Sequence, residues 1–168
     1  VVALEPACIS AFADELPNLF PGSEAAARLR GQASFFSDFL VKASDEDQIS
    51  CRPLDRQVLV QVHCHHHAIV GYHSERQLLE RLGIVVDVLP SGCCGMAGAF
   101  GFEQDKYELS MKLAERVLLP RVRTAPPDTI VLANGFSCRE QIEQGAGVET
   151  MHVAELLSLA HRETNAGR

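Results

Sequence analysis

The sequence predicts an α/β domain: a parallel sheet of about four or five strands with helices on both faces. Three observations carry this. Short Val-, Ile- and Leu-rich runs alternate with stretches of helical periodicity along the chain. Four of these runs deliver cysteines within a few residues of their C-terminal ends: Val1–Leu4 before Cys8, Val58–Val62 before Cys64, Ile84–Leu89 before Cys93-Cys94, and Thr129–Ala133 before Cys138. A helix-like stretch follows each of these cysteine positions. Parallel strands end on one side of the sheet, where ligands bind, so five of the six thiols are expected at one edge.

The elements follow in order. Val1–Leu4 reads as a buried strand that Glu5-Pro6 breaks, and Ile9–Leu16 as a short helix ending near Pro17. The turn Pro21-Gly22-Ser23 sets Ser23 as the cap of a helix over Glu24–Lys42, whose apolar face is Ala26, Leu29, Ala33, Phe36, Phe39 and Leu40. Residues 43–56 are polar and read as a loop, and its Cys51 is given no role. Gln57–Cys64 is a valine-rich parallel strand, followed by a helix from about Ala68 to Leu82 that Gly83 stops. Ile84–Leu89 is the next strand, and Ser91–Gly98 a glycine-rich turn where backbone approaches something closely. Asp105–Arg123 carries Leu109, Leu113, Val117 and Leu118 on one long amphipathic helix. Thr129–Ala133 is a strand, Arg139–Gln144 a short helix, and Val148–Val153 a last strand entering a helix to about His161. The alternation is Rossmann-like, with right-handed crossovers.

Val1–Cys8 and Ile130–Cys138 share one form: strand, short turn, cysteine, helix. Residues 1–16 are therefore expected to be the tail of a preceding repeat, and 1–168 one domain excised from the C-terminal part of a longer oxidoreductase. A chain of 168 residues with 46% hydrophobic and 22% charged residues can bury a real core. A net charge of −7 argues against nucleic acid as a partner. No run is long enough to span a membrane and no signal peptide is visible. Six cysteines without a secretory signal point to a reducing, cytoplasmic setting, or a peripheral place at the inner face of a membrane, where clustered thiols serve metals or redox chemistry.

Thiolates are the metal ligands, and a helix N-terminus favours the anion, so Cys8, Cys64, Cys93, Cys94 and Cys138 form the candidate metal set. In His63-Cys64-His65-His66-His67, His63 and His65 are expected to hydrogen-bond around a thiolate rather than ligate, with His66 and His67 solvated. His73, His152 and His161 are expected at the surface or as caps. Gly95 lies in the turn whose N–H groups can reach cluster sulfurs. The sequence holds no catalytic triad and no phosphate-loop ending. Four or five thiolates serve a 4Fe–4S cluster or a zinc ion, and ligand type alone does not separate them.

Gly92-Cys93-Cys94-Gly95-Met96-Ala97-Gly98-Ala99-Phe100-Gly101, after His63-Cys64-His65 and before Gly135-Phe136-Ser137-Cys138, resembles the cysteine-rich CCG domain. That domain occurs in heterodisulfide reductase, in the iron–sulfur subunit of glycolate oxidase, and at the C-terminus of FAD-linked D-2-hydroxyacid dehydrogenases. Leu4–Cys8 and Phe136–Ile142 look most like the last group. The resemblance matches Cys64, Cys93, Cys94 and Cys138 to the ligands of one repeat and Cys8 to the closing cysteine of the one before. Gly135 departs from it, standing where the first cysteine of Cys-x-x-Cys is expected. The resemblance implies an iron–sulfur electron-transfer module, not catalytic when isolated. FAD and other iron–sulfur domains would lie in the rest of the parent protein, with a quinone or an electron carrier as acceptor. The alternative is a zinc-binding module without a redox role, shaping an interface.

Overall fold

A computed structural model describes residues 1–44, 54 and 56–166. Cys51 and most of the loop expected over 43–56 lie outside the described residues. The central sheet has three parallel strands in the order β4-β3-β5, where β3 is Gln57–Gln61, β4 Val85–Val88 and β5 Ile130–Ala133. Its register pairs Val58 with Val86 on one side and with Ile130 on the other. β1 (Val2–Ala3) and β2 (Ser34–Phe35) form a separate parallel pair. The α/β class and the parallel pairing are thus as expected; the five strands among the described residues divide between two sheets, and the first, expected to be buried, leaves Val1, Val2 and Leu4 exposed.

Alternation along β3 places helices on both faces. Val58 and Val60 pack with Leu78 and Leu79 of α5 (His73–Arg81) and with Val153 and Leu156 of α9 (Val153–Ala166). Leu59 faces the other way, toward Leu118 and Val122 of α7 (Leu118–Arg123) and Cys138 and Ile142 of α8 (Phe136–Ala146). Each fully buried side chain of this kind contributes roughly 1.5–3 kcal/mol. Cys94 belongs to the second cluster, so that core reaches the strand ends.

Several expected elements are divided, each for a local reason. The first helix does not end near Pro17: α1 (Pro6–Ser10) runs through a π-helical turn, Ala11–Glu15, into α2 (Leu16–Leu19). Pro17 sits in the first turn of α2, where its missing N–H costs little. The helix expected over 24–42 divides into α3 (Glu24–Gln32), capped by Ser23 as expected, and α4 (Phe36–Ser44). Between them Ser34-Phe35 is drawn into pairing with β1. Gly71, at φ +91°, separates α5 from a π-helical turn over His66–Val70. The long helix of 105–123 splits into α6 (Tyr107–Ala114) and α7, because Pro120 cannot continue the α6 ladder without clashing near residue 116. The last strand reduces to a single bridge from Met151 to Leu132.

A buried polar knot sits beside α5. Glu75 is 1% exposed and its Oε2 accepts from Ser37 Oγ at 3.1 Å and from Asn134 Nδ2 at 2.6 Å. Asn134 Oδ1 accepts in turn from the Val153 N–H at the start of α9. His66 is also 1% exposed, its Nδ1 lies 3.9 Å from the same carboxylate oxygen, and it meets Phe35 and Tyr72 ring to ring. The expectation that His66 is solvated is therefore wrong. Its ring sits among Phe35 of β2, Tyr72, and Glu75 of α5.

Burial pushes the Glu75 carboxyl from 4.5 up to about 7 and draws His66 from 6.5 down to about 4. Glu75 stabilises the fold below its unfolded value, and that contribution is lost as pH rises through about 7. His66 acts oppositely: its contribution is present above 6.5 and is lost as pH falls toward about 4. Each contribution is of order 3 kcal/mol, so the two largely offset one another between pH 4.5 and 6.5. Glu75→Gln should remove the first and leave a stability that falls steeply on acidification. Urea midpoints from pH 4.5 to 6.5 check this: the midpoint should climb more steeply with pH in the variant than in the parent, with which it shares every other titrating group.

Candidate metal centre

Each strand of the central sheet hands its chain to the same rim. Two residues beyond β3 stands His63, followed by Cys64 at the start of a helical turn. Beyond β4, Leu89–Gly92 leads to Cys93-Cys94. The buried Gln61 side chain holds this loop, donating to Gly92 O at 3.2 Å and accepting from Ser91 Oγ. Beyond β5, Asn134-Gly135 opens α8, whose third residue is Cys138.

The four thiols meet in pairs. Cys94 and Cys138, 3% and 1% exposed, lie against each other, and Cys64 lies against Cys93, both half-buried. Hydrogen bonding from the Cys138 thiol draws Cys94 down to about 6 despite its burial, helped by the backbone N–H groups of Met96 and Ala97. The same bond, together with burial, pushes Cys138 well up. Burial and the neighbouring Cys93 raise Cys64. The site therefore stabilises a thiolate at Cys94, the ligand form.

The turn that surrounds Cys94 is built by close packing. Gly95 has φ +96° and its N–H points to Cys93 Sγ at 3.4 Å. A Cβ there would stand 2.3 Å from Ser110 O. Ala97 holds φ +44°, a left-handed conformation unusual for a residue with a side chain, and this turns successive N–H groups inward.

His63 is 7% exposed, and its Nδ1 accepts from the His65 N–H at 3.2 Å. Burial lowers its pKa, against the pull of Glu5. Its ring presses on Gly135, where a Cβ would lie 2.3 Å from His63 Cδ2. His65 is exposed and its Nδ1 lies 3.3 Å from Ser10 Oγ. His67 and His73 are exposed, whereas His152 is 8% exposed and accepts from the Ala154 N–H at the start of α9.

The N-terminal segment docks on the same rim through three long-range bonds. Besides Ser10 with His65, His152 Nε2 donates to Leu4 O at 2.9 Å, and Glu5 Oε2 accepts from the Phe136 N–H at 2.8 Å. Glu5 Oε1 also accepts from the Ala7 N–H at 3.3 Å, so one carboxylate caps both α1 and α8. Gly135 has no side chain to cap α8 itself. Cys8 rides on α1 with its side chain exposed, and the four thiols that touch are Cys64, Cys93, Cys94 and Cys138. Among the described residues, no three His, Cys, Asp or Glu side chains are set to hold a single metal ion. Sequence reasoning missed Glu5, Gln61 and Glu75. Only Glu5 carried a signal, standing directly before a proline at a helix start.

Relatives of the chain include dehydrogenases. It is 26% identical over 162 residues, or 95% of its length, to one subunit of the anaerobic glycerol-3-phosphate dehydrogenase of Escherichia coli K12. It is 26% identical over 94% of its length to the D-2-hydroxyglutarate dehydrogenase of Pantoea ananatis, and 25% identical over the same share to that of Pseudomonas putida. The chain spans 40% of the length of the first and 15% of each of the others. No family model matches it. No solved structure matches it.

Two substitutions test how the rim is assembled. Gly135→Ala should cost about 1–3 kcal/mol through overpacking against His63, and thermal unfolding of Gly135→Ala with and without His63→Ala should reveal the coupling. Equal losses in both backgrounds would deny the contact. Glu5→Ala should cost about 1 kcal/mol through the lost caps, with Glu5→Gln recovering most of it in the same assay.

Proposed function

We propose that this chain is an iron–sulfur electron-transfer module of a flavin-linked 2-hydroxyacid dehydrogenase. The observation that carries the reading is the meeting of Cys64, Cys93, Cys94 and Cys138 at one strand-end rim, around a backbone turn that favours a thiolate. Four thiols suit a 4Fe–4S cluster, which four cysteine thiolates hold. Cys93 and Cys94 are adjacent and serve different corners of such a group more readily than one ion. When bound, the cluster supplies one-electron transfer.

The chain's own residues would hold and tune that group. Cys94 offers a preformed thiolate, and its buried partner Cys138 gives up a proton on ligation. The Gly95 N–H already directed at Cys93 sulfur, and those of Met96 and Ala97 at Cys94, favour negative charge on the ligands. Hydrogen bonds of this kind move the potential of iron–sulfur sites. His63 screens the rim beside Gly135, while Glu5 and Gln61 hold the ligand-bearing segments in place. Dehydrogenases among the relatives support a place in such an enzyme, with FAD, the hydroxyacid site and other iron–sulfur domains in a longer parent chain. Electrons would pass from flavin through this module to a quinone or a carrier protein.

Anaerobic reconstitution with iron and sulfide should give a brown chain whose visible absorption bleaches with dithionite. Cys64→Ser should reduce loading at least tenfold while thermal unfolding of the metal-free protein changes only modestly. A colourless chain holding zinc would select the structural-zinc alternative, and a Cys64→Ser variant that fails to fold would do the same.

A further inference from the structure

The two thiol pairs differ in their access to solvent. Cys94 and Cys138 lie in the core cluster with Met96, Leu118 and Ile142. Cys64 and Cys93 are half-buried, with the two side chains touching. Cys64 also forms part of the wall of an open cavity of about 580 Å3 between the ends of β3 and β4, whose lining includes Val62, His67, Tyr72, Arg76 and Pro90. A small oxidant entering this cavity meets Cys64 first, and Cys93 stands beside it as a resolving thiol. The anchoring of Ser91 and Gly92 to Gln61 keeps Cys93 close to the β3 end.

We propose that Cys64 and Cys93 form a reversible disulfide that gates the metal centre. Peroxide would convert the Cys64 thiol to a sulfenic acid, its O–O bond breaking and one water leaving. The Cys93 sulfur then attacks the sulfenic sulfur, the S–S bond forms, and a second water carries off the hydroxyl and the Cys93 proton. Two electrons pass from the sulfurs to the peroxide, and a dithiol reductant returns them. Oxidation removes two of the four thiolates, so the centre can load only in the reduced chain. Access decides the order: the Cys64 thiol faces the cavity even though burial pushes it toward the neutral form, whereas Cys94 and Cys138, 3% and 1% exposed, are out of the oxidant's reach. The disulfide is independent of the function proposed above, whereas its gating role rests on that reading.

The test exposes the reduced, metal-free 168-residue chain to equimolar hydrogen peroxide, followed by alkylation and peptide mapping by mass spectrometry. One disulfide, Cys64–Cys93, is expected, with Cys94 and Cys138 alkylated only after denaturation. Cys93→Ser should leave a sulfenic acid on Cys64 that dimedone traps. Loading with iron and sulfide, and separately with zinc, should fall at least tenfold in the oxidised chain and return on treatment with dithiothreitol. A first disulfide through Cys8, Cys51 or the buried pair would overturn the proposal, as would equal loading before and after oxidation. A Cys64–Cys93 disulfide in a chain that takes up neither metal when reduced would sustain the bond but overturn the gate, together with the iron–sulfur reading.

Discussion

Parallel pairing of β3 with both β4 and β5 is the constraint on which the rest depends. Hydrogen bonding in one direction makes all three strands end on one side, so the chain must turn back into a helix three times at one rim. Each turn carries a cysteine, and helix starts present unpaired N–H groups to whatever charge gathers there. The core supports this arrangement from below. Cys94 and Cys138 are themselves packed with Leu118, Val131 and Ile142, which fixes their positions as firmly as those of neighbouring aliphatic side chains.

Electrostatics then divides the thiols. Four sulfurs brought together out of water cannot all ionise without a cation, and the backbone chooses where the first negative charge goes. Cys94 receives N–H groups from the turn and a thiol hydrogen bond from Cys138, which outweigh its burial. Cys138 and Cys64 are pushed toward the neutral form. A metal cation would invert that balance by stabilising every thiolate at once. The tight turn at Gly95 and the left-handed Ala97 are what the fold accepts in return for placing those N–H groups.

How much of this was legible in the sequence follows from the range of each interaction. Strand–cysteine–helix units are local patterns, and they located the sheet, its parallel sense and the turns bearing Cys64, Cys94 and Cys138. Element lengths were less legible. Periodicity runs through Ala33, Gly71 and residues 115–117, whereas a competing strand pairing, a left-handed glycine and Pro120 divide the helices. The polar residues were least legible, because their partners are remote in sequence. Glu75 has the look of an exposed helix residue until Ser37 and Asn134 close over it, and Glu5 caps a helix that begins 131 residues later. His66 sits in a run of histidines that looks solvated, yet Phe35 and Tyr72 enclose it. The pressing of His63 on Gly135 likewise joins two turns that only the completed sheet brings together.

The central claim is that these thiols hold an iron–sulfur cluster. X-ray absorption at the iron edge, with iron, zinc and acid-labile sulfide counted per chain, tests it most directly on protein purified without air. The account predicts iron and labile sulfide in equal amounts, with thiolate and sulfide sulfur in the first coordination shell and no nitrogen from His63 or His65. Zinc with no labile sulfide, or iron bound through imidazole nitrogen, would contradict it.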